Sequence, residues 1–315
     1  MVRKIGVLTS GGDAPGMNSA ISAVTRIALS NGIEVVGIRD GYRGLLEEKF
    51  QVLERTDVSD ILNRGGTTLG SARLPEFKEE EVQDQCVANL RKAGIDALVV
   101  IGGDGSYRGA LALTNKGINC IGLPGTIDND IVGTDFTIGF DTALQTCVEN
   151  VDKLRDTSSS HHRCSIVEVM GNNCGDLALY TAIACGAEIV ITPETGYDET
   201  EILEKLRYLG DAVKKNHAIV IISEKICDVD GLANKVSLHT NFSGRATILG
   251  HIQRGGSPTP VDRMLSSRMG EKAIDLLMEG IGGHCVGIID NEICSMPIQE
   301  ALEKPRKSRK KLYRL

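Results

Sequence analysis

The sequence lacks any apolar run that approaches the roughly 20 residues needed to span a bilayer, so we expect no membrane helix. Its nine cysteines form no CxxC pair and show no metal-ligand spacing. Several of them, such as Cys120 and Cys164, lie in apolar runs, which predicts reduced core residues of a cytoplasmic protein. No signal peptide is expected, because the first residues enter a strand-like run and a glycine loop at once.

An excess of positive charge is also missing. The formal net charge is −7, which argues against nucleic acid as the main partner. No internal repeat or low-complexity linker is evident, while 315 residues suffice for roughly two domains.

Strand-like and helix-like runs alternate along most of the chain. The pattern predicts helices over 17–30, 78–93, 140–155, 176–185, 199–214 and 261–278. It predicts strands over 34–38, 97–101, 165–170, 218–222 and 247–249, with 285–289 as the last strand. Such alternation favours an α/β fold with mostly parallel sheets, in which ligands bind at the carboxyl ends of the strands.

Three glycine-acid loops follow apolar runs in this sequence: GGDAPGMN at 11–18, GGDGS at 102–106 and PGTIDND at 124–130. A glycine turn after a strand lets backbone N–H groups approach a phosphate closely. An aspartate beside such a turn can hold Mg²⁺ or accept a proton. Together the loops predict a site for phosphoryl transfer.

Each motif also has a purely structural interpretation. GGDGS is typical of a tight turn in which Asp104 caps a helix, and PGTIDND of an Asx-rich turn. If the second segment is extended, Asp128 and Asp130 point the same way, one toward a substrate and one toward a metal. His251 and Arg254 in HIQRGGSPTP could bind a sugar phosphate or lie on the surface. The same choice holds for three further arginines that suit bidentate phosphate recognition: Arg73, Arg163 and Arg245.

Taken together, these segments resemble the bacterial type of ATP-dependent 6-phosphofructokinases. The resemblance also includes DGYRGL, NRGGTTLGSARLPEF, LRDTSSSHHRCSIVEVMG and GHIQRGGSP, and it runs from IGVLTSGGDAPGMN to RMGEKAIDLL and CVGI. It implies two Rossmann-like three-layer domains. The larger would bind ATP and contain residues 1–139 and 252–302, and the smaller would bind fructose 6-phosphate and contain residues 140–251 and 303–315.

The resemblance implies transfer of the γ-phosphoryl of Mg·ATP to the C1 hydroxyl of fructose 6-phosphate, the committed step of glycolysis. Asp128 would be the general base, supported by Thr126 and Asp130, and Asp104 would hold Mg²⁺. The ATP site would contain Gly12, Tyr42, Arg73, Leu74, Gly103, Asp104, Gly105 and Ser106. The sugar-phosphate site would contain Thr126, Ile127, Asp128, Arg163, Met170, Gly171, Asn172, Glu224, Arg245, His251, Ile252, Gln253 and Arg254. Arg163 and Arg245 would reach a neighbouring subunit of a homotetramer.

The phosphoryl donor is predicted from two glycines. Pyrophosphate-dependent relatives carry GGDD and PKTIDND, where this chain has Gly105 and Gly125. We expect the added side chains to fill room that a nucleotide needs, so the glycines favour ATP.

The chain departs from the family pattern at two places. Asn172 stands where MGR is usual, so one positive charge beside the transferring group is lost. The resemblance also implies an allosteric site for ADP and phosphoenolpyruvate, at Ser22, Arg26, Arg55, Asp60, Arg155, Gly186, Glu188, Val213, Lys215 and His217. Because Ser22, Thr56, Val213 and Asn216 replace basic or aromatic residues, we expect a weaker response to effectors.

Two other functions stay open at this point. A related sugar or nucleoside kinase is disfavoured by Arg163, Arg245 and Arg254, which suit a phosphorylated acceptor. A regulatory subunit or nucleotide sensor would be expected to lose Asp104 or Asp128, and both are present. The basic C-terminus, KPRKSRKKLYRL, is predicted to be a solvated tail or last helix, with docking of an acidic partner as the alternative.

Overall fold

The computed structural model describes residues 2–315 as two compact units. Unit 1 comprises the chain up to Ile127, Ile131–Thr142 and Arg254–Lys307. Unit 2 comprises Asp128–Asp130, Ala143–Gln253 and Ser308–Leu315. Relative to the domains expected from the sequence, residues 128–130 and 252–253 lie in unit 2, and residues 140–142 and 303–307 lie in unit 1.

The strands, numbered in chain order, are β1 Lys4–Ser10, β2 Glu34–Ile38, β3 Phe50–Val52, β4 Ala97–Gly102, β5 Asn119–Pro124, β6 Arg163–Val169, β7 Ile189–Ile191, β8 Ala218–Ser223, β9 Ser243–Ile248, β10 His284–Ile289 and β11 Glu292–Pro297. The helices are α1 Met17–Ser30, α2 Gly41–Leu46, α3 Glu80–Lys92, α4 Asp104–Asn115, α5 Phe140–Ser160, α6 Asp176–Cys185, α7 Glu199–Asp211, α8 Val229–His239, α9 Pro260–Met278 and α10 Ile298–Glu303. Short 3₁₀ helices cover Pro75–Lys78, Gly250–Arg254 and Leu312–Arg314.

Unit 1 is built on a seven-stranded sheet in the order β11-β10-β5-β4-β1-β2-β3. Its five inner strands are parallel, and the edge strands β3 and β11 pair antiparallel with β2 and β10. Every residue of β4 is buried, as its continuous apolar run predicts for a strand covered on both faces. Helix α1 packs against α9 in this unit.

Unit 2 is built on a four-stranded parallel sheet in the order β7-β8-β6-β9. Apolar residues of β6, β7 and β8 form its core with the inward faces of α7 and α8. The prediction of an α/β fold with mostly parallel sheets is therefore confirmed in both units.

Two predicted elements are wrong in extent. Cys285–Ile289 is not the last strand, because Asp290 and Asn291, both at positive φ, turn the chain back into β11. These two residues form the tight turn that joins antiparallel strands, and their side chains tolerate the left-handed region. Strand β9 begins at Ser243 rather than Thr247, so Arg245 lies inside a strand.

The buried carboxylate of Asp262 connects the start of α9 to the residues that lead into α5, all within unit 1. Its oxygens accept hydrogen bonds from Gly139 N (2.8 Å), Thr142 N (2.9 Å) and Thr142 Oγ1 (2.5 Å). Burial raises the pKa of Asp262 to about 6, against the opposing effect of these donors. The geometry makes Asp262 a structural acceptor for three donors of Gly139 and Thr142.

We expect Asp262→Asn to lower the free energy of unfolding by about 2 kcal/mol, because the amide turns one acceptor into a donor that faces buried N–H and O–H groups. Urea unfolding followed by far-UV circular dichroism measures the change. Glu271→Gln, an exposed change on the same helix, is the control. Equal unfolding midpoints for the two variants would contradict the role assigned to Asp262.

Candidate active site

The register of unit 1 brings the three glycine loops to one edge of its sheet. Ser10 pairs with Gly102 and Gly102 pairs with Pro124, so β1, β4 and β5 end level with one another. The loop backbones contact each other directly, since Gly125 N donates to Gly102 O at 3.1 Å. Level strand ends give three successive loops a common position at the carboxyl edge, as the alternation predicts.

The GGDGS loop is compact because helix α4 begins inside it, with Gly103 as N-cap and Asp104 as its first residue. A Cβ on Gly102 would lie 2.3 Å from Ser106 Oγ and 2.4 Å from Ser10 O, so only glycine fits between the two strand ends. A Cβ on Gly103 would lie 3.9 Å from Thr126 Cβ, which puts Thr126 beside this loop. The first N–H groups of α4 thus point toward the same edge as the strand ends, where an anion binds favourably.

Tyr42, a predicted ATP-site residue, has its side chain in the core of unit 1. Its hydroxyl donates to Ser106 O at 2.6 Å, and its ring lies 4.3 Å from that of Phe77, centroid to centroid. A Cβ on Gly109 would come within 2.5 Å of the Tyr42 ring, so helix α4 packs closely against that ring. Burial raises the pKa of this phenol well above its usual value. The side chain of Tyr42 therefore holds the GGDGS loop from the core side, through Ser106.

Unit 1 also contains the predicted nucleotide residues Arg73 and Leu74 and the predicted sugar-phosphate residue Arg254. Arg254 lies over Gly12, where a Cβ would stand 2.5 Å from its Nη1, and that nitrogen is 4.0 Å from Asp13 Oδ1. Arg73 is exposed, and Leu74 packs partly against the core. Asp13 was missed by sequence reasoning, although it stands inside the first motif and next to Gly12.

The main chain at Thr126 is fixed within unit 1 by its neighbours in the segment 137–138. Thr126 N donates to Ile138 O at 3.1 Å, and Thr126 O accepts from Thr137 Oγ1 at 2.6 Å. Ile127 is buried, with 2% of its surface exposed, so its side chain serves packing. If Ile127 contacts the substrate as predicted, its backbone makes the contact.

The segment Asp128–Asp130 belongs to unit 2 and is not extended, contrary to the geometry assumed from its sequence. Asn129 adopts the left-handed conformation, with φ of 52°, and its side chain is buried. Its Nδ2 donates to Asp176 Oδ2 at 2.9 Å. The orientation of the flanking carboxylates is therefore set by the conformation and anchoring of Asn129, which a strand-like alternation does not describe.

Unit 2 repeats the arrangement of level strand ends. Val169 pairs with Ser223, and Glu168 pairs with Ile248, so β6, β8 and β9 end together. The predicted residues Met170, Gly171 and Asn172 follow β6, Glu224 follows β8, and His251 follows β9. The structure thus brings these parts of the predicted sugar-phosphate site to one edge of unit 2.

Glu224 organises the loop after β6. Its Oε1 accepts from Gly171 N at 3.2 Å and from Asn172 N at 2.7 Å. Gly171 has φ of 146°, and a Cβ there would lie 2.4 Å from Cys174 O, which excludes any side chain. The loop is therefore held by one carboxylate and depends on one glycine.

Lys225 supplies a positive charge at the position where the sequence suggested a missing one. Its Nζ donates to Asn172 Oδ1 at 2.8 Å. Asn172 and Lys225 both have positive φ, of 57° and 65°. Sequence reasoning missed Lys225, because its only signal was its place immediately after Glu224.

The 3₁₀ turn that contains HIQR divides between the units. His251 and Ile252 are exposed in unit 2, whereas Arg254 lies in unit 1. Gln253 is fully buried; its Oε1 accepts from Met170 N at 3.1 Å and from Cys147 Sγ at 3.2 Å, and its Nε2 donates to Gly250 O at 2.9 Å. The side chain of Gln253 thus holds the loop backbones of unit 2 together. If Gln253 contacts the substrate as predicted, the contact is made by its backbone.

Arg163 lies at the opposite edge of the unit 2 sheet from Met170 and Glu224, whereas Arg245 lies inside β9, between the two edges. Arg163 starts β6 and pairs with Ser243, and Arg245 pairs with Ser165. A strand rises about 3.3 Å per residue, so Arg163 and Met170 stand about 23 Å apart along β6. Arg163 therefore does not join the other predicted substrate residues within one chain.

The predicted effector residues form a separate group in each unit. In unit 1, Ser22 is buried and donates to Val58 O at 2.9 Å, while Arg55 donates to Ser30 Oγ at 2.5 Å. Arg26 is exposed on α1, and Asp60 is exposed in the loop that follows β3. The hydroxyl of Ser22 thus serves packing.

In unit 2, Glu188 pairs with Lys215 and accepts from Ile219 N at 2.6 Å. Arg155 donates to Cys185 O beside Gly186, and Val213 is exposed. The pKa of His217 is lowered, chiefly by burial and also by the charges of Arg155 and Lys215, whereas Glu188 acts in the opposite direction. Lys215 and His217 therefore lie near the carboxylate of Glu188.

A search of residues 2–315 finds no group of three or more His, Cys, Asp or Glu side chains able to hold a metal ion. Among the same residues, no helix is long and apolar enough to cross a membrane. All nine cysteines are free, and six are buried, as expected of reduced core residues.

Known proteins resemble the chain over its whole length. Residues 4–277 match the family described as phosphofructokinase. An ATP-dependent 6-phosphofructokinase of Tolumonas auensis is 60% identical over 316 residues, covering 100% of this chain and 98% of that relative. The solved phosphofructokinase of Saccharomyces cerevisiae has a TM-score of 0.87 at 36% identity over 96% of this chain, which spans 45% of that longer chain. A pyrophosphate-dependent phosphofructokinase of Marinobacter aquaeolei has a TM-score of 0.88, with 98% of this chain and 86% of that one covered, but at 19% identity it shows the fold alone.

We expect Glu224→Met to leave the N–H groups of Gly171 and Asn172 without their acceptor, and to speed hydrogen exchange at both amides about tenfold or more. Glu224→Gln retains Oε1 and is the matched control. Exchange at the two amides is measured by NMR or by mass spectrometry of the peptide that contains them. Unchanged exchange in Glu224→Met would show that another group holds the loop.

Proposed function

Because the chain belongs to the phosphofructokinase family, we propose that it transfers the γ-phosphoryl of ATP to the C1 hydroxyl of fructose 6-phosphate. The products are fructose 1,6-bisphosphate and ADP, and the reaction is a step of glycolysis. The observation that carries this function is the identity of 60% with an ATP-dependent 6-phosphofructokinase along the full length of the chain. The level ends of β1, β4 and β5, with a glycine loop on each, support it independently.

The nucleotide is assigned to unit 1. The N–H groups at the start of α4 face the edge at which Gly12, Gly103, Gly105 and Ser106 lie, and they suit phosphate oxygens. Arg254, which lies above Gly12 and is proposed to bind the sugar phosphate, adds a positive charge beside the same loops. Charge developing on the transferred group is stabilised by such preorganised donors, so little covalent chemistry is required of the protein.

Mg²⁺ fits this donor set as an ion that arrives with the nucleotide. Asp104 is half-exposed at the start of α4 and forms an ion pair with Arg108, with 2.9 Å between Oδ2 and Nη2. One carboxylate completed by phosphate oxygens and water is a usual environment for Mg²⁺, which rarely occupies an all-protein cage. When bound, the ion would neutralise phosphate charge, and Asp104 would be its protein ligand.

The acceptor is assigned to unit 2, where Asp128 is the proposed general base for the C1 hydroxyl. Thr126 and Asp130 flank it in the chain and are proposed to support it, Asp130 near the metal. Removal of the hydroxyl proton as the bond forms contributes about 10²- to 10⁴-fold to the rate of such reactions. Met170, Gly171, Glu224 and His251, at one edge of unit 2, are proposed to hold the sugar phosphate.

Arg163 and Arg245 are proposed to bind the sugar phosphate of a neighbouring subunit. The place of Arg163 at the far edge of the sheet, about 23 Å from Met170 along β6, supports a site completed by oligomerisation. We therefore propose a cytoplasmic homotetramer. ADP and phosphoenolpyruvate are the proposed effectors, with a weakened response because Ser22 is engaged with Val58 and Val213 offers no charge.

ATP as donor is supported more strongly by Gly105 than by Gly125. A Cβ on Gly105 meets nothing within 4 Å, so the space beside it is open for a ligand. A Cβ on Gly125 would lie 2.9 Å from Ile101 Cγ2 and 3.2 Å from Met17 Cε. A side chain at position 125 would thus require neighbouring side chains of unit 1 to shift, so the open space beside Gly105 is the clearer structural support for ATP.

A coupled assay with fructose 6-phosphate tests the function, with ATP and pyrophosphate as alternative donors. We expect turnover with ATP only. Asp128→Ser should lower kcat by about 10²- to 10⁴-fold while the Kd for ATP stays unchanged, because the base is lost and the nucleotide loops are intact. Asp152→Ser, an exposed change on α5, is the control. Turnover with pyrophosphate alone, or full activity of Asp128→Ser, would contradict the proposal.

The pair Asn172 and Lys225 gives a second test at the same site. We expect Asn172→Arg to raise kcat about 3- to 10-fold, because a guanidinium replaces a neutral amide beside the transferring group. Lys225→Met should lower kcat in the parent chain and have less effect in the Asn172→Arg background, where the cation is no longer unique. Unchanged or lower turnover of Asn172→Arg would show that Lys225 already supplies the charge needed.

A further inference from the structure

The basic C-terminal segment 308–315 is tied into unit 2 by two side chains. Tyr313 Oη lies 2.6 Å from Thr192 Oγ1, and Thr192 is fully buried. Arg309 Nε donates to Asp176 Oδ2 at 3.3 Å. The interpretation of the whole segment as a solvated tail is therefore wrong for Arg309 and Tyr313.

The carboxylate that Arg309 meets is buried at the start of a helix. Asp176 is the first residue of α6, and only 3% of its side chain is exposed, against 19% for Arg309. A buried carboxylate is costly unless a cation and hydrogen bonds compensate it. Arg309 provides that cation from more than a hundred residues further along the chain.

The same carboxylate oxygen holds the segment that carries the proposed base. Asp176 Oδ2 also accepts from Asn129 Nδ2 at 2.9 Å. Asn129 stands between Asp128 and Asp130 in the sequence, and its side chain is buried. Its left-handed φ of 52° is a conformation that needs stabilising contacts.

Cys174 adds a second connection between these parts. Its thiol contacts Asn129 O at 3.9 Å, and its sulfur accepts from Asp176 N at 3.4 Å. The backbone and side chain of Asn129 are both held by the residues that start α6. Asp176 Oδ2 is thus the shared point between this segment and the C-terminal arginine.

We propose that Asp176 and Arg309 are positioning residues for the reaction, and that the C-terminal arginine orients Asp128 and Asp130 through Asn129. This rests on the function proposed above. Loss of the Arg309 cation weakens the compensation of the Asp176 carboxylate and its hold on Asn129, and lets the two flanking carboxylates turn. Misplacement of a reacting group by about 1 Å costs as much as 10²-fold in rate.

Steady-state kinetics of Arg309→Met, Arg309→Lys and Lys310→Met in the full-length chain test the proposal. Lys310 is exposed in the same segment and is the matched control. We expect kcat of Arg309→Met to fall about 10- to 100-fold with the KM for ATP unchanged, and Arg309→Lys to recover part of the loss. A lesion that only destabilised the chain would lower the active fraction and spare kcat per active site.

A double-mutant cycle shows whether Arg309 acts through Asp176. In an Asp176→Asn background, Arg309→Met should cause little further loss of kcat, because the shared carboxylate charge is already absent. Independent, multiplicative losses would overturn the proposed connection. If Arg309→Met does not fold, Asn129→Gly tests the same connection, since glycine keeps the left-handed backbone and removes the hydrogen bond to Asp176.

The outcomes separate this proposal from the function on which it rests. Wild-type protein without turnover of ATP and fructose 6-phosphate overturns the function and the proposal with it. Active wild-type protein, together with equal kcat values for Arg309→Met and Lys310→Met, overturns the positioning role alone. A selective fall of kcat in Arg309→Met and in Asn129→Gly supports it.

Discussion

The hydrogen-bonded register between parallel strands fixes where each loop of the candidate site begins. In unit 1, Ser10, Gly102 and Pro124 stand side by side, and in unit 2 the ends of β6 and β8 coincide at Val169 and Ser223. A shift of one residue in either register would move every side chain of a strand to its other face and displace the loop that follows. Buried strands such as β4, without a polar face, hold that register through packing on both sides.

Many side chains that look like ligands in the sequence act inside the protein. The hydroxyl of Tyr42 forms a hydrogen bond with Ser106 O, and the amide of Asn129 forms one with Asp176. The amide of Gln253 forms hydrogen bonds with Met170 N and Gly250 O. Buried polar groups need partners, and each of these provides one to a loop backbone or to a buried carboxylate. The exposed residues around them, among them Asp104 and His251, can then act on ligands without also having to shape the loops.

The sequence predicts those features that depend on local pattern. Helix α1 begins and ends where its apolar spacing indicates, and β4 follows from its apolar run. The left-handed turn at Asp290–Asn291 and the conformation of Asn129 are not encoded by periodicity, and they were missed. The contacts of Lys225 with Asn172, and of Arg309 with Asp176, join residues 53 and 133 positions apart. Such pairs become visible only after the strands and helices have taken their places, because charge and spacing alone do not identify partners at that separation.

The interleaving of the two units along the chain has a consequence for synthesis. Strand β10, which covers one side of β5 in the unit 1 sheet, is encoded after every strand of unit 2. While the ribosome makes residues 143–253, β5 therefore has an unpaired edge of N–H and C=O groups, the kind of edge that recruits other strands. The chain grows at roughly 5–20 residues per second, so this edge stays open for several seconds in every molecule made. During that interval the edge of β5 is open to non-native strand pairing, and neither unit corresponds to a contiguous fragment that could be expressed alone.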